Sequence, residues 1–278
     1  MALAPTRGHR HQTVFLDAGH GGPDPGAVGR TRGGAAVDEA AVNLPVELDA
    51  AALLRAQGYR VVVSRTRNTT VTRLRSADVT SGALKTAAVL ADVAARDVCA
   101  NLARASVLIG IYMDSGNPGN AGCVTGYDAA RSFAAQNLRL ATLVQNDVLG
   151  AMNARGYAIP DEGVLPDTGL GSASDSAAVS YRHLVLLGPA RAGYFSSPSH
   201  MPGALIEPLF LTDPFEASIA ASPSGQHLIA RGLAQAVTQY LAAPPVTGPV
   251  APGPVTPEPV VGVPAGIRRA ATGLRVSA

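Results

Sequence analysis

His20 is the side chain of this sequence best placed to hold a metal ion. It follows an apolar run, Thr13-Val-Phe-Leu-Asp-Ala18, and stands in a glycine-rich turn, Gly19-His-Gly-Gly-Pro-Asp-Pro-Gly-Ala27. A strand that runs into such a turn presents its side chains at the carboxyl end, where open α/β sheets gather their sites. Glu39 opens Glu-Ala-Ala-Val-Asn-Leu, and Glu207 closes a second apolar run, Ala204-Leu-Ile-Glu, ahead of Pro-Leu-Phe-Leu-Thr-Asp-Pro. Taken singly, Glu39 is an acid in the first turn of a helix, favoured there by the helix dipole. Glu207 lies among Leu205, Ile206, Leu209 and Phe210, where an unpaired carboxylate is costly to bury and has a raised pKa. Together the imidazole and the two carboxylates read as a hydrolase centre: a bound ion lowers the pKa of its water to roughly 7, and a buried acid/base moves the proton.

Further pieces stand in a fixed order around these residues. They are Leu-Asp-Ala-Gly-His-Gly-Gly with Asp-Pro-Gly-Ala, then Glu39 with Val42-Asn43-Leu44, then Val-Val-Val-Ser-Arg65. Arg96 with Ala100-Asn101 comes next, and then Leu-Ile-Glu-Pro-Leu-Phe-Leu-Thr-Asp-Pro with Ser224-Gly225-Gln226 before a last helix. The ordered set, over roughly residues 13 to 241, resembles the type 3 class of zinc-dependent N-acetylmuramoyl-L-alanine amidases. The resemblance implies a peptidoglycan or muropeptide substrate, cut between the lactyl group of muramic acid and the first residue of the stem peptide. It implies zinc held by His20, Glu39 and a second histidine in a Ser-Ile-His-Ala-Asp type motif, with Glu207 acting on the catalytic water.

Tyr112 stands where that second histidine is expected, in Val107-Leu-Ile-Gly-Ile-Tyr-Met-Asp-Ser115. A phenol binds a metal only as phenolate, and its free pKa is about 10. Tyr112 therefore reads either as an altered third ligand or as a core aromatic with a hydrogen-bonded hydroxyl. Among the other histidines, His9 and His11 precede the first strand, His183 and His200 precede later apolar runs, and His227 falls on the final helix. Two functions follow: a zinc amidase with a changed ligand set, or a chain that keeps the cleft, binds peptidoglycan and regulates or recruits cell-wall enzymes. Arg65 and Arg96 are expected to hold structure through carboxylate or carbonyl contacts. Cys99 and Cys123 lack the setting of an activated thiolate, and the serine-rich tract after Gly171 lacks that of a nucleophile elbow.

Composition suits one catalytic domain. The 278 residues are 47% hydrophobic, 15% charged and 4% aromatic, with no tryptophan, so an Ala/Val/Leu core is easily built. The net charge of +2 is too small to argue for nucleic acid. No apolar run reaches the roughly 18 to 20 residues that span a bilayer. The resemblance implies a cell-wall or extracellular address. The first residues lack the apolar core of a signal peptide, which leaves a cytoplasmic place or another export route open. A monomer is expected.

The elements that must position the site alternate. Strands are expected at Thr13 to Leu16, Arg60 to Ser64, Val107 to Met113, Cys123 to Tyr127, His183 to Leu187 and Ala204 to Glu207. Helices are expected at about Ala40 to Gln57, Leu84 to Ala105, Ser132 to Arg155 and Gln226 to Leu241. In the first of these helices Leu44, Leu48, Ala52 and Leu53 define the apolar face, and Pro45 stands near the first turn, where proline is tolerated. The alternation predicts an α/β fold with a mostly parallel twisted sheet of about six strands, flanked by helices on both faces. Residues 1–12 read as an N-terminal arm, 13–241 as the amidase-like domain and 242–278 as a disordered proline-rich tail. Residues 67 to 83 lengthen one connection and are expected at the rim of the cleft.

Overall fold

The first long strand shows how this chain builds its layers. β2 (Thr13–Ala18) is buried along its whole length, and successive side chains point to opposite faces. Val14 and Leu16 enter one apolar cluster, and Phe15 enters the other. The same alternation places Val61 and Val63 against Val62 in β5 (Arg60–Val63), and Val107, Ile109 and Ile111 against Leu108 in β8 (Val107–Ile111). Strands buried on both faces are those of a parallel sheet covered on both sides.

The computed structural model describes residues 1–117, 119–170, 181–192 and 194–243. Four further strands join the three above: β1 (Ala2–Leu3), β9 (Cys123–Tyr127), β10 (Asp161–Pro166) and β11 (Gly203–Glu207). The seven run in the order β1-β5-β2-β8-β11-β9-β10. Neighbours are parallel except β1 with β5 and β11 with β9. Two short hairpins, β3 (Val28–Arg30) with β4 (Ala36–Asp38) and β6 (Val79–Thr80) with β7 (Ala83–Leu84), lie outside the sheet.

Helices α1 (Glu39–Ala56), α3 (Ala134–Asn153) and α5 (Pro223–Ala242) cover one face, and the short α4 (Pro214–Ala220) packs beside α5. Gly232 of α5 permits close contact with α3, since a Cβ there would lie 2.5 Å from the Cα of Val148. The other face is covered by α2 (Thr86–Leu102) and by a helix-free stretch carrying Leu184, Leu186, Leu187 and Met201.

The expected α/β fold with a mostly parallel sheet is present, with three corrections of detail. His183 to Leu187 is a turn, closed by Gly188 N–H donating to the Leu184 carbonyl at 2.8 Å. Its consecutive buried residues lie flat on the sheet: Leu186 rests over Gly110 and Leu187 over Gly203. The sheet gains β10 and β1 instead; the latter draws Ala2 and Leu3 of the expected arm into pairing with β5. The core face of α1 is not the leucine face. Leu48 is 37% exposed and Ala52 is exposed, whereas Val42, Val46, Ala50 and Leu54 are buried together with the polar Asn43 and Glu47. Pro45 lies in the helix interior, and the carbonyl it leaves without a helical partner belongs to the exposed Ala41. No helix among the described residues is long and apolar enough to cross a membrane. The expected tail lies outside the described residues from 244 onward.

Candidate active site

The carboxyl ends of β2, β8 and β11 stand side by side and open into one cleft of about 410 Å³. His20, Glu39, Tyr112 and Glu207 all line it, with Asp24, Met113 and Asp114. Sequence residues far apart in the chain therefore meet at one sheet end. Just beyond the strands, Gly19 N–H donates to the Ile111 carbonyl and Tyr112 N–H to the Ile206 carbonyl, both at 3.0 Å. Asp114 continues this pairing past β8, donating to Leu209 and accepting from Leu211.

His20 is held in an unusual backbone conformation, with φ of 61°. Two buried arginines hold that turn. Arg65 donates to the carbonyls of Ala18 (3.0 Å), Gly19 (3.1 Å) and Ala40 (2.6 Å). Arg96 donates to those of Ala18 (2.7 Å) and His20 (2.9 Å), and pairs with Asp17 (2.5 Å) and Asp92 (2.8 Å). This is the structural work expected of both. Glycine is required where the turn passes the ligands: a Cβ on Gly26 would lie 2.5 Å from Glu39 Oε2 and 2.7 Å from the His20 ring.

His20 Nδ1 pairs with Asp24 Oδ2 at 2.9 Å, and its Nε2 lies 3.2 Å from Glu39 Oε2. A carboxylate on one ring nitrogen orients the ring and leaves the other for an ion. Glu39 is the first residue of α1, and Asp38 caps that helix by accepting from Ala41 N–H. Its oxygens accept from Ala27 N–H (2.8 Å) and Met113 N–H (2.9 Å), so the carboxylate is fixed from two separate parts of the chain. The role of Asp24 went unread in the sequence, although its place four residues after His20 in the same turn was visible.

Charge in the cleft is strongly unbalanced. Burial would depress the His20 imidazole, but Glu39 and Asp24 outweigh it and hold the pKa at about 10. Burial pushes Glu207 well above the carboxylate range, and Asp114 and Glu39 push it the same way. Asp114 rises for the same main reason, burial, with Glu39 adding to it. Four carboxylates facing one imidazole are a setting that a divalent cation relieves. The 3.2 Å between His20 Nε2 and Glu39 Oε2 also suits two ligands of one ion at about 2.1 Å.

Tyr112 sets its ring edge against His20, with centroids 5.4 Å apart and planes at 71°. Its hydroxyl donates to Asp17 Oδ2 at 3.2 Å. Burial first, and then the charge of Asp17, hold the phenol well above its ordinary pKa. The lengthened connection forms the β6–β7 hairpin, whose last residue Leu84 lines the cleft with Thr86 and Val89 of α2. Both cysteines are free thiols, and burial raises both.

The chain belongs to the N-acetylmuramoyl-L-alanine amidase family, whose model matches residues 14–239. It is 28% identical over 246 residues to the amidase AmiC of Neisseria meningitidis serogroup B, covering 84% of this chain and 54% of that protein. The chain thus spans about half the length of that curated relative. Among solved structures, an N-acetylmuramoyl-L-alanine amidase from Clostridium difficile 630 is 26% identical, with a TM-score of 0.58 over 84% of this chain and 97% of that one. AmiC2 of Nostoc punctiforme shares the fold at 21% identity and a TM-score of 0.57, over 85% of this chain and 100% of that one.

Proposed function

We propose that this chain is a zinc-dependent N-acetylmuramoyl-L-alanine amidase that hydrolyses the amide between muramic acid and the stem peptide of peptidoglycan. The observation that carries the reading is the convergence of His20, Glu39 and Glu207 on one cleft in a chain of this family. A cell-wall or extracellular place of action goes with that substrate.

His20 through Nε2 and Glu39 through Oε2 would hold the ion, with Asp24 fixing the ring. When bound, zinc polarises the scissile carbonyl and acidifies a water. Glu207 takes the proton from the attacking water and delivers it to the leaving amine. Burial and the neighbouring Asp114 and Glu39 raise its pKa, which suits a group that must hold a proton and hand it on. Asp114 beside it shares the burden of negative charge. Tyr112, its hydroxyl engaged by Asp17, acts as a neutral wall that keeps the His20 ring upright. Two protein ligands hold an ion less firmly than three, so this site releases zinc more readily than a three-ligand site.

The test is digestion of purified peptidoglycan by the full chain with zinc, followed by mass analysis of the products. Free stem peptides beginning at their first residue, with intact lactyl-muramoyl glycans, are expected. Unchanged peptide content would contradict the reading.

A further inference from the structure

Asp128, Asp167 and His183 meet in a second cluster that the amide chemistry leaves unused. Asp128 directly follows β9, Asp167 directly follows β10, and His183 belongs to the helix-free cover of the sheet. His183 Nδ1 lies 2.9 Å from Asp128 Oδ2 and 3.2 Å from each oxygen of Asp167. Both aspartate side chains are fully buried, and His183 retains 19% exposure.

The cluster is separate from the cleft. β9 runs antiparallel to β11, with Val124 opposite Glu207. Asp128 therefore lies toward the other end of the sheet, about 13 Å from the level of Glu207 at about 3.3 Å per residue.

A simple ion pair does not satisfy this geometry. One imidazole nitrogen carries one proton at most, and three carboxylate oxygens converge on it. Asp128 Oδ1 is already served by Ala130 and Arg131 N–H groups at 2.6 and 3.0 Å. Asp167 Oδ2 is served by Leu184 N–H at 2.9 Å. Asp128 Oδ2 differs: it is sealed from solvent and aimed at the cluster, and among the described residues it has no hydrogen bond beyond its 2.9 Å approach to His183 Nδ1. The donor separations of 2.9 and 3.2 Å are short enough for one ion to reach all three groups with bonds of about 2.1 Å.

We propose that Asp128, Asp167 and His183 form a second site for a divalent cation of the zinc class, distinct from the catalytic one. Two carboxylates and an imidazole suit zinc or manganese, whereas calcium takes oxygen ligands alone. The three donors come from three separate parts of the chain. The ion fastens the turn that carries His183 and Leu184 to Leu187 onto the ends of β9 and β10.

The test counts tightly held zinc by elemental analysis of the full-length protein after dialysis. Wild type, His20→Ala/Glu39→Gln, His183→Gln and Asp128→Asn are compared. About one zinc retained in His20→Ala/Glu39→Gln is expected, lost when Asp128→Asn is added. Zinc should also raise the melting temperature of the first of these chains and not of the second. No zinc in His20→Ala/Glu39→Gln overturns the proposal, as does wild-type zinc content in both His183→Gln and Asp128→Asn. The catalytic reading fails separately, in the peptidoglycan digestion: no stem peptide released by wild type with zinc supplied would contradict it whatever the count of tightly held zinc.

Discussion

Tyr112 is the residue on which the metal chemistry turns. A phenol could reach a metal from this position only by leaving Asp17, to which it donates at 3.2 Å, and by losing a proton that burial and Asp17 hold in place. Tyr112→Phe should therefore leave zinc affinity within about twofold and lower stability by about 1.5–3 kcal/mol, the cost of one buried hydrogen bond to a charged group. Zinc titration and thermal unfolding read the two effects apart; a large loss of zinc would make the phenol a ligand. Tyr112→His should raise zinc affinity at least about tenfold, by completing a three-ligand site. The sequence showed His20, Glu39 and Glu207 as a group because their motifs are local. What they could not show was Asp24 on the imidazole; the two arginines were expected to hold structure, and the fold adds which carbonyls they grip, those of Ala18 to His20.

Among the elements, α1 carries a polar group into the core for a reason that its periodicity hides. Glu47 is fully buried, and its Oε1 accepts from Ala18 N–H (3.0 Å), Ser64 N–H (3.0 Å) and Ser64 Oγ (3.1 Å). It thereby ties the carboxyl ends of β2 and β5, which leave the sheet toward the cleft, to the helix that begins with Glu39. A reading by apolar spacing assigned the leucine face of α1 to the core, because it had no way to count Asn43 and Glu47 as interior. The turn at Leu184 to Leu187 was misread for a related reason: a run of buried leucines looks the same in a strand and in a turn laid over glycines. β10 was missed because Asp161-Glu-Gly-Val-Leu-Pro166 is an edge strand with little apolar content. By contrast Cys123–Tyr127 was legible residue for residue, since its turn signals bracket an apolar run. At the α3–α5 contact, Gly232→Ala should cost about 1–3 kcal/mol, because the new methyl meets backbone that cannot step aside. Chemical denaturation checks it; an unchanged midpoint would mean that the two helices are free to separate.

At the scale of the whole molecule, the buried acids set a pH dependence. Burial and then Asp17 push Glu47 up to about 7, and burial raises Glu216 to about 7. An acid whose pKa is raised by folding takes up protons as the chain folds. Its contribution is full below the unfolded carboxylate value and is lost as pH rises through about 7. His20, held at about 10, acts in the same direction, since a raised histidine contributes fully below its unfolded value and less as pH climbs. The metal-free protein should thus be more stable near about pH 5 than near about pH 8, and Glu47→Gln should flatten that slope. Melting temperatures across this range decide it; a stability that rises steadily to pH 8 would contradict the assignment. The α/β alternation was readable from the sequence because it rests on apolar runs and turn residues. The antiparallel pairing of β11 with β9, and with it the second acidic cluster at the far end of the sheet, rests on contact between distant segments.

The most direct measurement is the rate of stem-peptide release from muropeptides at saturating zinc, for wild type beside Glu207→Gln. If Glu207 moves the proton, the variant keeps its zinc and its fold and loses about 10²–10⁴ in rate. Equal rates in the two, or no release by either, would contradict the account.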